Sequence, residues 1–121
     1  MLISTKSSLE LQRRLESGGR DIFCRGLFLS ARWIVLSQAV KKGVHFIMLP
    51  DMEAAEYCTS DLYGFIDGDR VFFLPESGRN VERSNYKASL AVQRTAAISS
   101  ILAGGDGLKV IVSYPEAVAE L

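Results

Sequence analysis

Runs typical of β-strands alternate with runs typical of α-helices along this 121-residue chain. The strand-like runs are short and apolar, whereas the segments between them repeat apolar residues at spacings of three and four. Such alternation indicates βαβ units, in which parallel strands form a sheet with helices on both faces. The sequence therefore predicts a three-layer α/β fold. The strand-like runs are residues 21–27, 44–49, 71–74 and 109–113.

The helix-like segments also carry predictions about their ends. A first helix is predicted over residues 5–17, and the second runs to about Lys42, where Gly43 ends it. Asp51 is a good N-cap for the third helix, and Gly104-Gly105 closes a long fourth helix. Pro115 begins a fifth helix that has only about two turns before Leu121, so we expect the chain to be part of a longer protein.

Apolar spacing further predicts which surfaces are buried. Residues 44–49 form a near-continuous apolar run, which is typical of a strand buried on both faces. The third and fourth helices each have one apolar face that is predicted to pack on the sheet. These faces consist of Ala55, Cys58, Leu62 and Phe65 in the third helix, and of Ala91, Thr95, Ile98 and Leu102 in the fourth.

Composition excludes several classes of function. The 14 basic and 14 acidic side chains cancel, so no overall field draws the domain to nucleic acid or to a membrane. Cys24 and Cys58 form no C-x-x-C pair, which favours reduced core thiols over a disulfide or a metal site. Charged residues interrupt the apolar runs near the N-terminus, so no signal peptide is predicted. No segment approaches the roughly 20 apolar residues of a membrane span, and the expected location is the cytoplasm.

The stretch from Gly26 to Trp33 lies where a phosphate-binding loop belongs, between a strand and a helix. In the register of G-x-x-x-x-G-K-[ST], Ala31 replaces the second glycine, Arg32 the lysine and Trp33 the magnesium ligand. A tryptophan cannot bind magnesium, and a guanidinium does not replace a compact ammonium. We therefore expect no nucleotide at Gly26, Ser30, Ala31, Arg32 and Trp33, although the helix N-terminus retains donors for weak anion binding. The alternative is a plain strand-to-helix turn.

Other candidate sites are sparse. His45 begins a buried strand and is interpreted as structural, and the Asp67/Asp69 pair is interpreted as a solvated turn rather than as a metal site. A basic run around Tyr86 is a candidate for contact with phosphate or nucleic acid, although interleaved glutamates favour a solvated face. This run consists of Arg79, Arg83, Lys87 and Arg94. No residues are predicted to be catalytic or to bind a metal.

Four motifs, in this order and spacing, resemble the N-terminal UvrB-like module of the bacterial transcription-repair coupling factor (Mfd) family. The resemblance covers about residues 21–121, most of the chain, and its individual motifs are loose. It implies a P-loop NTPase or helicase-like (RecA-like) fold that is incomplete here, preceded by an N-terminal helix and linker over residues 1–20. The motifs are Gly26–Trp33, Met48–Glu56, Val71–Pro75 and Val110–Val118.

The resemblance implies a non-catalytic scaffold or interaction domain. The parent proteins are ATP-dependent DNA translocases that release stalled RNA polymerase and recruit UvrA in nucleotide excision repair. Other domains of the parent bind ATP and magnesium, and its contacts with RNA polymerase, UvrA and DNA use segments absent from this chain. The implied partners of this chain are therefore the other domains of the same polypeptide, with no cofactor and no membrane.

A second hypothesis belongs to a different class. Open parallel sheets place ligands at the carboxyl ends of their strands, so the chain is alternatively a small stand-alone α/β enzyme or ligand-binding domain. Convergent polar side chains at those ends would support this hypothesis. The residues available there are Gly26, Ser30, Asp51, Glu76, Ser113 and Tyr114.

Overall fold

A computed structural model describes residues 6–18, 31–77, 84–105 and 107–121. The predicted strand over residues 21–27 and the glycine-containing part of the loop lie outside the described residues. In chain order, the elements are α1 (Lys6–Glu16), α2 (Ala31–Ala39), β1 (Val44–Met48), α3 (Met52–Leu62), a 3-10 turn (Gly68–Arg70), β2 (Val71–Phe73), α4 (Ser84–Ala103), β3 (Lys109–Ser113) and α5 (Pro115–Val118).

The three described strands form one parallel sheet in the order β1-β3-β2. The last strand in the sequence is thus the central one, and Ile111 lies in register with Phe46 of β1 and with Phe72 of β2. Parallel neighbours require crossover connections, which α3 and α4 provide. The predicted α/β class with a parallel sheet is confirmed for the described residues.

Two apolar clusters cover the two faces of the sheet. On one face, Val110 and Val112 pack with Cys58 and Leu62 of α3 and with Trp33 of α2. On the other face, the side chain of Ile111 packs with partly buried Ile98 and Ile101, and with the fully buried Ala97, all from α4. Because successive strand residues point to opposite faces, β3 supplies side chains to both clusters. The predicted helices on both faces are confirmed.

Some helix ends lie where local signals predicted them, whereas α3 ends at Leu62 and does not include Phe65, which was predicted on its apolar face. The Asp51 carboxylate accepts a hydrogen bond from Ala54 N at 2.8 Å, as predicted for the N-cap of α3. Gly104 and Gly105 end α4 with positive φ angles, as expected for glycines that follow a helix. Helix α2 ends at Ala39 rather than near Lys42, because the chain turns earlier toward β1 and passes through Gly43 at φ +88°.

The prediction that strand 44–49 is buried on both faces is wrong for β1. The side chains of Val44, Phe46 and Met48 are about half exposed, at 50%, 51% and 51%. They lie on the face of the sheet on which α4 packs. Helix α4 contacts β2, however, and makes far fewer contacts with β1. The near-continuous apolar run of residues 44–49 therefore belongs to a strand that helices cover on one face.

The predicted buried face of α4 is also wrong in part. Leu90 is 2% exposed and Ala97 is fully buried, whereas Leu102 is 80% exposed. The helix therefore buries the stripe of residues 90, 97, 98 and 101, which is rotated from the predicted one. Many alanines and serines in α4 give its two sides similar hydrophobicity, so the spacing of apolar residues did not identify its buried face.

Helix α1 packs on α2, and Leu15 reaches the cluster that contains Trp33. On its exposed side, Glu10 accepts hydrogen bonds from Arg13 and Arg14, and these lower the pKa of the Glu10 carboxyl to about 2. The carboxyl is fully exposed, so this network contributes little to folding. The packing of Leu15 is the contact that ties residues 6–16 to the sheet domain.

We predict that two alanine substitutions in α4 have very different effects on stability. Leu90→Ala should lower the free energy of unfolding by about 2–5 kcal/mol, because it leaves a cavity beneath the helix. Leu102→Ala should change it by less than about 0.5 kcal/mol, because that side chain is exposed. Urea unfolding followed by circular dichroism measures both. Equal losses in the two variants would contradict the observed orientation of α4.

Candidate functional site

Arg32 and Trp33, at the start of α2, are two residues at which the predicted loop departs from a phosphate-binding motif. Trp33, which aligns with the magnesium ligand in the predicted register, is 9% exposed and packs in the cluster that covers one sheet face. The guanidinium carbon of Arg32 lies 4.7 Å from the centre of the Trp33 ring, within the range of a cation–π contact. Both side chains are therefore engaged with the body of the domain.

A cavity of about 500 Å³ lies beside these two residues, at the carboxyl end of β1. This is the end of a parallel sheet where ligands of α/β proteins bind. Its wall combines aromatic and aliphatic groups with one cation and one anion, the side chains of Arg32 and Asp61. The lining residues are Arg32, Trp33, Leu49, Pro50, Ala54, Tyr57, Cys58 and Asp61.

Among the described residues, Cys58 is the thiol in this wall, and it is poorly suited to nucleophilic chemistry; Cys24 lies outside the described residues. The pKa of its thiol is raised to about 12, chiefly by burial and to a smaller extent by the nearby Asp61 carboxylate, while Arg32 opposes the rise. The attacking species in cysteine chemistry is the thiolate, which is scarce at neutral pH for such a group. Cys58 therefore serves here as a small apolar core side chain, as predicted for a reduced thiol.

Two of the polar residues predicted at the strand ends have internal partners. Asp51 caps α3, as described above. The Ser113 hydroxyl is fully buried and donates a hydrogen bond to the carbonyl oxygen of Leu74 at 2.8 Å, which links β3 to the end of β2. Each side chain thus stabilises a turn at the carboxyl edge.

Tyr114 and Glu76 do meet at this edge, as the parallel topology requires. The buried Tyr114 hydroxyl accepts a hydrogen bond from Glu76 N at 3.0 Å and donates one to Glu76 Oε1 at 3.1 Å. The tyrosine ring also lies 6.3 Å from the ring of Phe73. This arrangement fixes the chain after β2. The other two residues predicted at the strand ends, Gly26 and Ser30, lie outside the described residues.

Arg94 contributes to the same edge from α4. Its Nη1 donates hydrogen bonds to the carbonyl oxygens of Pro75 at 2.7 Å and Ala117 at 3.0 Å. A further bond from Ser77 N to Glu120 Oε2, at 2.9 Å, joins the same two segments. Arg94 therefore links the loop after β2 to α5, a role that no sequence pattern indicated because its partners are backbone carbonyls distant in sequence.

The structure does not describe the other three side chains of the predicted basic run. Arg79 and Arg83 lie outside the described residues, and Lys87 belongs to α4 without a described side chain. Contact of this run with phosphate or nucleic acid stays a prediction.

The remaining polar candidates make hydrogen bonds within a few residues of themselves in the sequence. His45 lies at the opposite, amino end of β1, where its Nε2 is 2.8 Å from the Lys42 carbonyl oxygen. Asp67 caps the 3-10 turn by accepting a long hydrogen bond from Asp69 N at 3.4 Å. Among the described residues, no three histidine, cysteine or carboxylate side chains are grouped as metal ligands would be.

Sequence reasoning missed Tyr57 and Asp61 as parts of the cavity wall. Both lie on α3, one turn apart, next to the predicted core residue Cys58. Helical spacing placed them beside each other, but nothing in the sequence indicated that α2 would pack close enough to α3 to enclose the space between them.

Comparisons of the chain with protein-family models, with curated proteins and with solved structures found no match. Within the part of the chain that the structure describes, none of the helices combines the length and the apolar character that crossing a membrane requires.

We predict that Tyr114→Phe destabilises the protein by about 1–3 kcal/mol, because Glu76 N–H loses its acceptor in a partly buried place. Tyr63→Phe is the matched control, since that ring is exposed, and it should change stability by less than about 0.5 kcal/mol. Chemical denaturation measures both. Indistinguishable effects would show that the Tyr114 hydroxyl does not secure the loop.

We also predict a specific loss of stability at high pH. The Cys58 pKa is raised in the folded state, to about 12 from an ordinary value of 9.0, so the folded form holds the thiol proton more tightly. The resulting stabilisation is complete below pH 9 and is lost as the pH rises toward 12. Comparing the pH profiles of the original protein and of Cys58→Ala separates this loss from other titrations. Parallel profiles would contradict the prediction.

Proposed function

We propose that this chain is a non-catalytic interaction domain with a degenerate phosphate-binding motif, the last residue of which, Trp33, packs in the core. The observation that carries the proposal is the burial of Trp33, with Arg32 against its ring. A working loop needs its lysine free to reach the phosphates and a hydroxyl to hold magnesium. Here Trp33 packs in the cluster between α2, α3 and the sheet, and the exposed Arg32 lies against its ring.

The finer assignment rests on the family resemblance. We propose that the domain is the UvrB-like module of a transcription-repair coupling factor, with the P-loop NTPase or RecA-like fold. Its partners would then be other domains of the same polypeptide, while ATP, RNA polymerase, UvrA and DNA are handled by segments absent from this chain. The parallel α/β sheet is compatible with that fold, and the matched motifs are the support for the family.

The proposal predicts that the protein does not bind MgATP with micromolar affinity. Isothermal titration calorimetry measures binding directly, and the single tryptophan of the chain, Trp33, supplies an independent fluorescence signal at the site. The combined variant Arg32→Lys, Trp33→Ser restores the side chains of the motif, and it should gain no nucleotide affinity because Ala31 remains. Tight, magnesium-dependent binding of ATP by the original protein would overturn the proposal.

One observation favours the alternative, a small α/β ligand-binding domain or enzyme. The cavity of about 500 Å³ at the carboxyl end of β1 is large enough for a small ligand and carries both signs of charge. The polar residues of the neighbouring edge favour the scaffold instead, because Asp51, Ser113 and Tyr114 are engaged in internal hydrogen bonds. A fragment screen followed by amide chemical shifts separates the two: shifts grouped around Tyr57 and Asp61 would support the alternative.

A further inference from the structure

Two short segments that are far apart in the sequence meet at the carboxyl edge of the sheet. They are residues 75–77, which follow β2, and residues 115–120, which include α5. The Ser77 N–H donates a hydrogen bond to Glu120 Oε2 at 2.9 Å, although 43 positions separate the two residues in the chain. The two segments are therefore joined directly, and Arg94 joins them a second time.

A single nitrogen atom of Arg94 connects the two segments. Arg94 Nη1 donates to the Pro75 carbonyl oxygen at 2.7 Å and to the Ala117 carbonyl oxygen at 3.0 Å. That nitrogen carries two hydrogens, so each hydrogen serves one segment. Hydrogen bonds from a charged donor are stronger than those between neutral groups. Arg94 thus contributes one strong bond to each segment.

The two bonds of Arg94 depend on each other. Fixing a long side chain costs conformational entropy, and here both bonds together offset that one cost. If residues 75–77 leave, the bond to Ala117 must hold the whole side chain alone, and the reverse is true if α5 leaves. The loss of one segment therefore weakens the attachment of the other.

Helix α5 relies on such contacts to stay in place. It has four residues, and a helix of one turn is not stable by itself. Its fully buried residue is the small Ala117, so lifting the helix exposes little apolar surface. Tyr114, which precedes α5, is instead a large core residue that is 1% exposed, with its ring 6.3 Å from that of Phe73. Tyr114 therefore marks the boundary between the core and α5.

We propose that residues 75–77 and 115–120 form one opening unit, which detaches from the sheet as a whole and which Arg94 holds closed. In the open form the strands stay paired, both segments are released, and the Arg94 guanidinium is free of its two carbonyl partners. The unit is a conformational switch, because a displacement of α5 is transmitted to the chain that leads from β2 toward α4. Neither segment belongs to the degenerate loop, so the switch does not rest on the proposed function.

Native-state hydrogen exchange of the whole chain, followed by nuclear magnetic resonance, tests the proposal. Ser77 reports on one segment and Ala119 on the other, because the Ala119 N–H is bonded to Pro115 O at 2.9 Å within α5. In the original protein, both amides should exchange with the same opening constant. That constant should be at least about tenfold larger than that of Ile111 in the central strand, since local units open more readily than the whole domain.

Arg94→Met removes both bonds but keeps the apolar stem of the side chain. It should raise the opening constants of Ser77 and Ala119 by the same factor, at least about tenfold, because two charge-assisted bonds are lost together. Gln93→Met is the matched control, since it changes the exposed neighbour of Arg94 in α4. Both constants should then stay within about twofold of those in the original protein.

Two further variants each weaken one segment alone. Glu76→Ala removes the carboxylate that accepts from the Tyr114 hydroxyl, a bond that attaches the loop to the core and not to α5. Ala117→Gly removes a buried methyl group from α5 and leaves the side chains of the loop unchanged. Because the segments open together, each variant should raise the opening constants of Ser77 and Ala119 by the same factor, about threefold or more.

Three results would each overturn the proposal. The first is a difference between the opening constants of Ser77 and Ala119 in the original protein, and the second is opening at both sites that is no faster than at Ile111. The third is a rise confined to Ser77 in Glu76→Ala or to Ala119 in Ala117→Gly. The first two use the original protein, so they do not depend on how any variant folds.

Discussion

The burial of β3 between two strands and two layers of helices is the constraint on which the rest of this structure depends. Val110, Ile111 and Val112 are each at most 1% exposed, and they supply both apolar clusters. Because β3 lies near the end of the sequence and between two earlier strands, the sheet cannot form until distant parts of the chain meet. Such non-local pairing slows folding, and it also makes the edges β1 and β2 dependent on one central strand.

At the carboxyl edge of the sheet, residue types that often form active sites stabilise the fold instead. Tyr114, Glu76 and Arg94 would look like a polar site if only their positions were known. Their hydrogen bonds run instead to one another or to backbone carbonyls, and these bonds secure the loop after β2 against α5. The open space lies one strand away, beside Trp33, where the wall is mostly apolar and the charged groups are Arg32 and Asp61.

Much of the local structure followed from the sequence, because its signals act over a few residues. The N-cap Asp51, the glycines after α4 and the bounds of β3 were predicted correctly. Two of the errors concern burial. The apolar run of β1 suggested cover on both faces, and the periodicity of α4 selected Leu102 instead of Leu90. Both errors have one cause: a pattern reports that a side chain is apolar, not whether another element lies above it.

By itself, the sequence determined the α/β class and the order of the described elements. These follow from short-range periodicity, capping and side-chain chemistry, which need no knowledge of distant contacts. Only the tertiary structure decided that β3 lies between the other two described strands, that Arg94 bonds two carbonyls and that the apolar side chains of Val44, Phe46 and Met48 stay half exposed. Strand order and side-chain burial depend on which elements pack together in space. Local sequence patterns do not report contacts between residues that are far apart in the chain.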